Sequence, residues 1–141
     1  EFVYYDLEWV GADIRSAGAK KCYIWNIGAI KHNGEKFDIF VYPQSLAFST
    51  HDGCVDVTTE LLDDLCAVTF QEAFRRFVAF VGPYATLISH NCFRADKPVL
   101  EAECKRYHQD IPTGWRFFDS LLFSRATLKL SFPPEPGTRQ S

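Results

Sequence analysis

Several features that would define other classes of protein are missing from this sequence. It contains no methionine, its formal net charge is −3, and no apolar run approaches the ~20 residues that cross a bilayer. No signal peptide, internal repeat or low-complexity segment is recognisable. A membrane-spanning protein, a repeat array and a basic nucleic-acid-binding module are therefore not expected. An enzyme that holds phosphates through metal ions is still compatible with this charge, because the ions supply the positive charge.

The cysteines also lack a pattern. There are five of them, an odd number, and none belongs to a C-x-x-C pair; they stand at positions 22, 54, 66, 92 and 104. This indicates free thiols rather than a disulfide framework or a zinc site. We therefore expect a reducing, intracellular location, in the nucleus or the cytoplasm. The absence of methionine and the strand-like residues at the very start suggest an excised or processed fragment.

What the chain does contain is typical of one globular domain over residues 1–141. Hydrophobic residues make up 47% and charged residues 23%, and 13 Phe, 6 Tyr and 3 Trp predict an aromatic core. Residues up to Lys21 are interpreted as a polar loop after the first strand, and residues 132–141 as an irregular tail. The predicted strands cover 2–8, 22–30, 36–42, 85–90 and 115–118, and the predicted helices 59–65, 70–81, 96–107 and 119–126.

This order of elements predicts an α/β fold. Three strands in an antiparallel meander are followed by strands that alternate with helices, which favours a mixed five-stranded sheet with helices on both faces. The helix over 70–81 is the clearest, with Thr69 as its cap and Gly82-Pro83 at its end. Its aromatic stripe at three-and-four spacing is interpreted as core packing.

The first strand contains two acids at alternate positions, Asp6 and Glu8. Side chains alternate between the faces of a strand, so both point to the same side, roughly 7 Å apart along the backbone. Carboxylate oxygens in such an arrangement suit Mg²⁺ or Mn²⁺. A solvated acidic face is the alternative explanation for a motif this short.

A third acid follows the fourth strand. Asp96 is predicted in the first turn of a helix just past a strand end, where active sites of open α/β sheets form. It could also serve only as a favourable acid at a helix N-terminus. Asn91 could bond to turn backbone, and His90 is more simply explained as a packed histidine than as a ligand.

Taken together, these segments resemble the DnaQ-like, or DEDD, family of 3′→5′ exonucleases, which have a ribonuclease H-like fold. The similarity extends over nearly the whole chain and is carried by Asp6-Leu7-Glu8, Ile24–Ala29, Val57–Val81, His90-Asn91 with Asp96, and Phe118-Asp119-Ser120-Leu121. Asp119 itself is interpreted as a helix cap. The family's third motif, a His or Tyr with a fourth acid near the C-terminus, is absent, and His108-Gln109-Asp110 does not replace it. By this comparison the fold is C-terminally incomplete.

The resemblance implies a metal-dependent enzyme that removes nucleotides from the 3′ end of single-stranded DNA or RNA. Two Mg²⁺ or Mn²⁺ ions are expected in a complete site, with Asp6, Glu8 and Asp96 as catalytic ligands. Trp9, Asn91 and Phe93 are the candidate nucleic-acid-binding residues. The two aromatic rings could stack on a terminal base, although buried packing is an alternative for both, and Trp9 replaces the Thr or Ser usual after the Glu.

Two rival interpretations are left open. Without the third motif the chain could be an inactive exonuclease-fold domain that serves protein or nucleic-acid interaction, and this fragment could be inactive by itself. Another ribonuclease H-like enzyme would also use paired carboxylates, but would lack the His-Asn…Asp segment. The sequence leaves any protein partner unknown.

Overall fold

The computed structural model describes residues 1–46 and 56–131. A short 3₁₀ turn over Ala19–Lys21 follows the first helix. The strands and helices, numbered in chain order, are β1 (Phe2–Gly11), α1 (Ile14–Ala17), β2 (Cys22–Lys31), β3 (Lys36–Phe40), α2 (Thr59–Asp64), α3 (Phe70–Val81), β4 (Ala85–Ser89), α4 (Asp96–Arg106), β5 (Trp115–Asp119) and α5 (Ser120–Ser131).

The five strands form one mixed sheet in the order β3-β2-β1-β4-β5. β1, β2 and β3 pair antiparallel, whereas β4 pairs parallel with both β1 and β5. The turn between β2 and β3 passes through Gly34 at φ +93°, a conformation that suits glycine. The predicted mixed five-stranded sheet is therefore confirmed, and β1 lies at its centre.

Helix α3 supplies the largest part of the core, as its apolar stripe predicted. Thr69 caps it by accepting a hydrogen bond from the Glu72 N–H, and Gly82 ends it at φ +87°. The fully buried ring of Phe77 packs between the rings of Tyr5 and Trp115, with centroids 6.5 and 5.6 Å away. The interpretation of the stripe as core packing is confirmed.

A buried acid of helix α4 forms a hydrogen bond with the backbone of β2. Glu103 is 1% exposed, and its carboxylate accepts a hydrogen bond from the Ile24 N–H at 3.3 Å. Arg106 pairs with the same carboxylate and donates to the backbone carbonyl groups of Lys20 and Cys22. The pairing of a buried charge with a guanidinium is what makes its burial tolerable.

Several predicted boundaries were wrong. The segment before Lys21 is not a plain loop, because the Asp13 carboxylate accepts from the Arg15 N–H and starts the short helix α1. β1 continues to Gly11 beyond a bulge, since it keeps pairing with β2. β3 ends at Phe40, and α5 runs to Ser131 rather than to residue 126. The predicted tail over 132–141 lies outside the described residues.

Four of the cysteines are free thiols in the structure, as predicted: Cys22, Cys66, Cys92 and Cys104. Cys54 lies outside the described residues. Among the helices within residues 1–46 and 56–131, none has the length and apolar character needed to cross a bilayer.

Candidate active site

Asp6 and Glu8 lie on the same exposed face of the central strand. Both are exposed, whereas Tyr5 and Leu7 beside them are buried in the core. This alternation follows from the pleat of a strand that has one face packed. The predicted placement of the two carboxylates on one side of β1 is thus confirmed.

Asp96 is brought onto the same strand from 89 residues away. It is 5% exposed, and its Oδ2 accepts a hydrogen bond from the Leu7 N–H at 3.0 Å. β1 pairs with β4 only up to Tyr4, so at Leu7 the carboxylate bonds a backbone group beyond the end of that pairing. Asp96 therefore does more than favour the start of α4, and it contacts the residue between the two exposed acids.

The three acids influence one another electrostatically. The pKa of Asp96 is raised to about 7, chiefly by burial and further by the negative charges of Asp6 and Glu8, while the Leu7 N–H opposes the change. A bound cation would relieve the repulsion that opposes the ionisation of Asp96. The donor set is made of hard oxygen ligands, which fits a divalent ion such as Mg²⁺ or Mn²⁺.

The acids do not form a closed ligand group by themselves. Within residues 1–46 and 56–131, no three His, Cys, Asp or Glu side chains are grouped closely enough to hold a metal ion. His108 and Asp110 follow the C-terminal end of α4, whereas Asp96 begins it. Eleven helical residues separate the two ends by about 16 Å, so this pair does not complete the site.

The loop between β4 and α4 carries the candidate nucleotide contacts. Asn91 adopts φ +59°, and its backbone carbonyl accepts from the N–H groups of Arg94 and Ala95. Phe93 is 46% exposed, with the Lys97 ammonium 5.7 Å from its ring centroid. His90 is exposed, and its Nδ1 lies 3.3 Å from the Ser120 hydroxyl.

The two candidate stacking residues differ in their surroundings. The Phe93 ring is open to solvent, whereas Trp9 is half-buried and packs against the main hydrophobic core. The exposed Phe93 ring is accessible to a base, whereas the Trp9 ring is partly buried by its packing against the core. Their roles in binding nucleic acid stay predictions.

Sequence reasoning identified Asp119 only as a helix cap, and that part is confirmed by its bond from the Leu121 N–H. Its other oxygen accepts from the Phe93 N–H at 3.1 Å, which was not foreseen. The two residues are 26 positions apart. Only the parallel pairing of β4 with β5, which places Ser89 opposite Asp119, brings them together.

The mixed five-stranded sheet with its helices is a ribonuclease H-like fold, and solved structures of exonucleases share this fold. E. coli exonuclease I in complex with a 5cy-dA13 oligonucleotide is 18% identical, with a TM-score of 0.72 over 96% of this chain and 32% of that one. Exonuclease I from Methylocaldum szegediense is 18% identical, with a TM-score of 0.66 over 99% of this chain and 31% of that one. The zinc-bound E. coli ExoI–ssDNA complex is 19% identical, with a TM-score of 0.64 over 99% of this chain and 31% of that one.

The profile of the exonuclease family of the RNase T type matches residues 3–134. The chain belongs to this exonuclease family, and membership implies dependence on a divalent metal ion. It spans about a third of the length of the exonuclease I chains. A comparison with curated proteins gives no match.

Proposed function

We propose that this chain is the catalytic-fold domain of a metal-dependent 3′→5′ exonuclease, which hydrolyses phosphodiester bonds from the 3′ end of single-stranded DNA or RNA. The observation that carries the proposal is that Asp6 and Glu8 lie on one face of β1 and that the Asp96 carboxylate accepts a hydrogen bond from Leu7, the residue between them. Membership of the exonuclease family supports it. The similar structures in complex with oligonucleotides support a single-stranded partner.

In this proposal Asp6 and Glu8 hold Mg²⁺ or Mn²⁺ on the exposed face of β1, and Asp96 helps to hold the site. When bound, such ions supply an activated water molecule and stabilise the charge of the leaving 3′ oxygen. The Leu7 N–H keeps Asp96 directed at β1. In the metal-free protein the pKa of Asp96 lies near 7, and a cation bound beside it would lower this pKa and favour the anion.

The loop after β4 is the proposed contact for the terminal nucleotide. The exposed Phe93 ring offers a face for stacking, which contributes about 1–3 kcal/mol per base in single-strand binding proteins. Lys97 lies near that ring and could meet the backbone phosphates. Asn91 and the half-buried Trp9 complete the proposed set.

Metal binding by the chain tests the proposal. Titration calorimetry with Mn²⁺ is expected to show binding to the wild type that Asp6→Ala removes, while circular dichroism shows an unchanged fold because Asp6 is exposed. Asp110→Ala removes an acid at the far end of α4 and is the matched control, expected to bind like the wild type. Equal binding by Asp6→Ala, or continued shortening of 5′-labelled single strands by that variant, would contradict the assignment.

The rival function is an inactive exonuclease-fold domain that binds protein or nucleic acid. One observation favours it: the described residues contain no complete group of metal ligands. In that case the wild type binds Mn²⁺ no better than Asp6→Ala, and both bind single strands equally well with the metal chelated.

A further inference from the structure

The second buried acid at the carboxyl edge of the sheet is Asp119, at the end of β5. It is 4% exposed, and its two oxygens bond different segments of the chain. Oδ1 accepts from the Leu121 N–H at 2.9 Å, and Oδ2 accepts from the Phe93 N–H at 3.1 Å. A simple cap would need only the first bond, so the second requires another explanation.

The second bond reaches the loop between β4 and α4. That loop begins with Asn91 in the left-handed region and ends where Asp96 starts α4. A loop held only by its own turn bonds would be free to shift as a unit. Asp119 ties its backbone to the neighbouring strand at Phe93, close to the proposed contact for a terminal base.

The electrostatics agree with a fixed, ionised carboxylate. Burial alone would raise the pKa of Asp119, but hydrogen bonds from Phe93, Leu121 and neighbouring backbone groups outweigh it and lower the pKa below its usual range. Hydrogen bonds to an ionised acceptor are stronger than those between neutral groups. Asp119 is therefore a charged anchor for backbone N–H groups.

We propose that Asp119 is a positioning residue, which holds the backbone of the β4–α4 loop so that Asn91, Phe93 and Asp96 are set in place before a nucleic-acid 3′ end arrives. The proposal rests on the proposed function for the identity of the ligand. In this role Asp119 contacts neither the nucleic acid nor a metal ion. It acts through the Phe93 N–H.

Amide hydrogen exchange by NMR tests the anchoring directly, in metal-free buffer. In Asp119→Asn the exchange of the Phe93 amide is expected to accelerate about 10- to 100-fold, because a charge-assisted bond is replaced by a weaker neutral one or none. Thr69→Ala is the matched control, since it removes a comparable backbone cap at α3, remote in sequence from the loop. It should leave Phe93 exchange unchanged.

A binding readout separates positioning from general stability. The affinity for a fluorescein-labelled single-stranded dT oligonucleotide, measured by anisotropy with Ca²⁺, is expected to fall several-fold in Asp119→Asn and to stay at the wild-type value in Thr69→Ala. Equal affinity losses in both variants would reduce Asp119 to a stability role and overturn the proposal.

The remaining outcomes are also decisive. Unchanged exchange at Phe93 in Asp119→Asn overturns the proposal whatever the affinity. If that variant does not fold, fast exchange of the Phe93 amide in the wild type overturns it, and slow exchange with a downfield-shifted amide proton supports it. A wild type that binds no oligonucleotide refutes the proposed function instead, and exchange alone then decides whether Asp119 holds the loop.

Discussion

Neutralising Asp96 should stabilise the protein at alkaline pH. The folded protein holds this carboxyl at a pKa of about 7, against 3.8 for an unperturbed Asp. Between these values the folded state binds a proton that the unfolded state has already lost, so stability falls as pH rises through the window. Asp96→Asn has nearly the same shape, and its amide oxygen can still accept from the Leu7 N–H. The variant cannot ionise at this position, so this source of falling stability at higher pH is removed.

The magnitude follows from the pKa difference. At about 1.4 kcal/mol for each pKa unit, the full cost of ionising Asp96 in the fold is ~4 kcal/mol. Between pH 5 and pH 8 the wild type loses about 3 kcal/mol of unfolding free energy through this group alone. Because other titrating groups are common to both proteins, the difference between variant and wild type isolates Asp96.

The assay is urea unfolding followed by circular dichroism at pH 5 and pH 8, in buffer with a chelator so that no cation relieves the repulsion. The stability of Asp96→Asn relative to the wild type should rise by about 3 kcal/mol between the two pH values. The exposed-acid control Asp110→Asn should show no such change. A relative stability that is the same at both pH values would refute the reasoning.

Two further substitutions probe how the sheet is braced. Arg106→Ala leaves the buried Glu103 carboxylate without its guanidinium, so it should lower the free energy of unfolding by about 3–5 kcal/mol in urea denaturation. A loss well below that range would mean that the pair contributes little. Gly11→Ala should lower it by more than ~1 kcal/mol by the same measurement, because the backbone has φ +131° and the new Cβ would lie 2.0 Å from the Lys21 carbonyl oxygen. Gly34→Ala, also at positive φ but in open space, should cost less, and the opposite order would contradict the steric argument.

Local patterns predicted most of the fold. The bounds of α3 followed from a cap at Thr69, a stripe at helical spacing and the stop at Gly82, and the structure reproduces them. The short helix α1 was missed because four residues are too few to show a period. Its start depends on one bond from the Asp13 side chain. The end of β1 was missed because Gly11 looks like a loop residue, and only pairing with β2 keeps it in the strand.

The sequence by itself determined that Asp6 and Glu8 share one face, because alternation along a strand is a local property of the backbone. It also placed Asp96 at the start of a helix. That the Asp96 carboxylate bonds Leu7, and that Asp119 bonds Phe93, was decided only by the tertiary structure. Both contacts depend on β4 lying between β1 and β5, and this strand order comes from pairings between distant segments that no local pattern encodes.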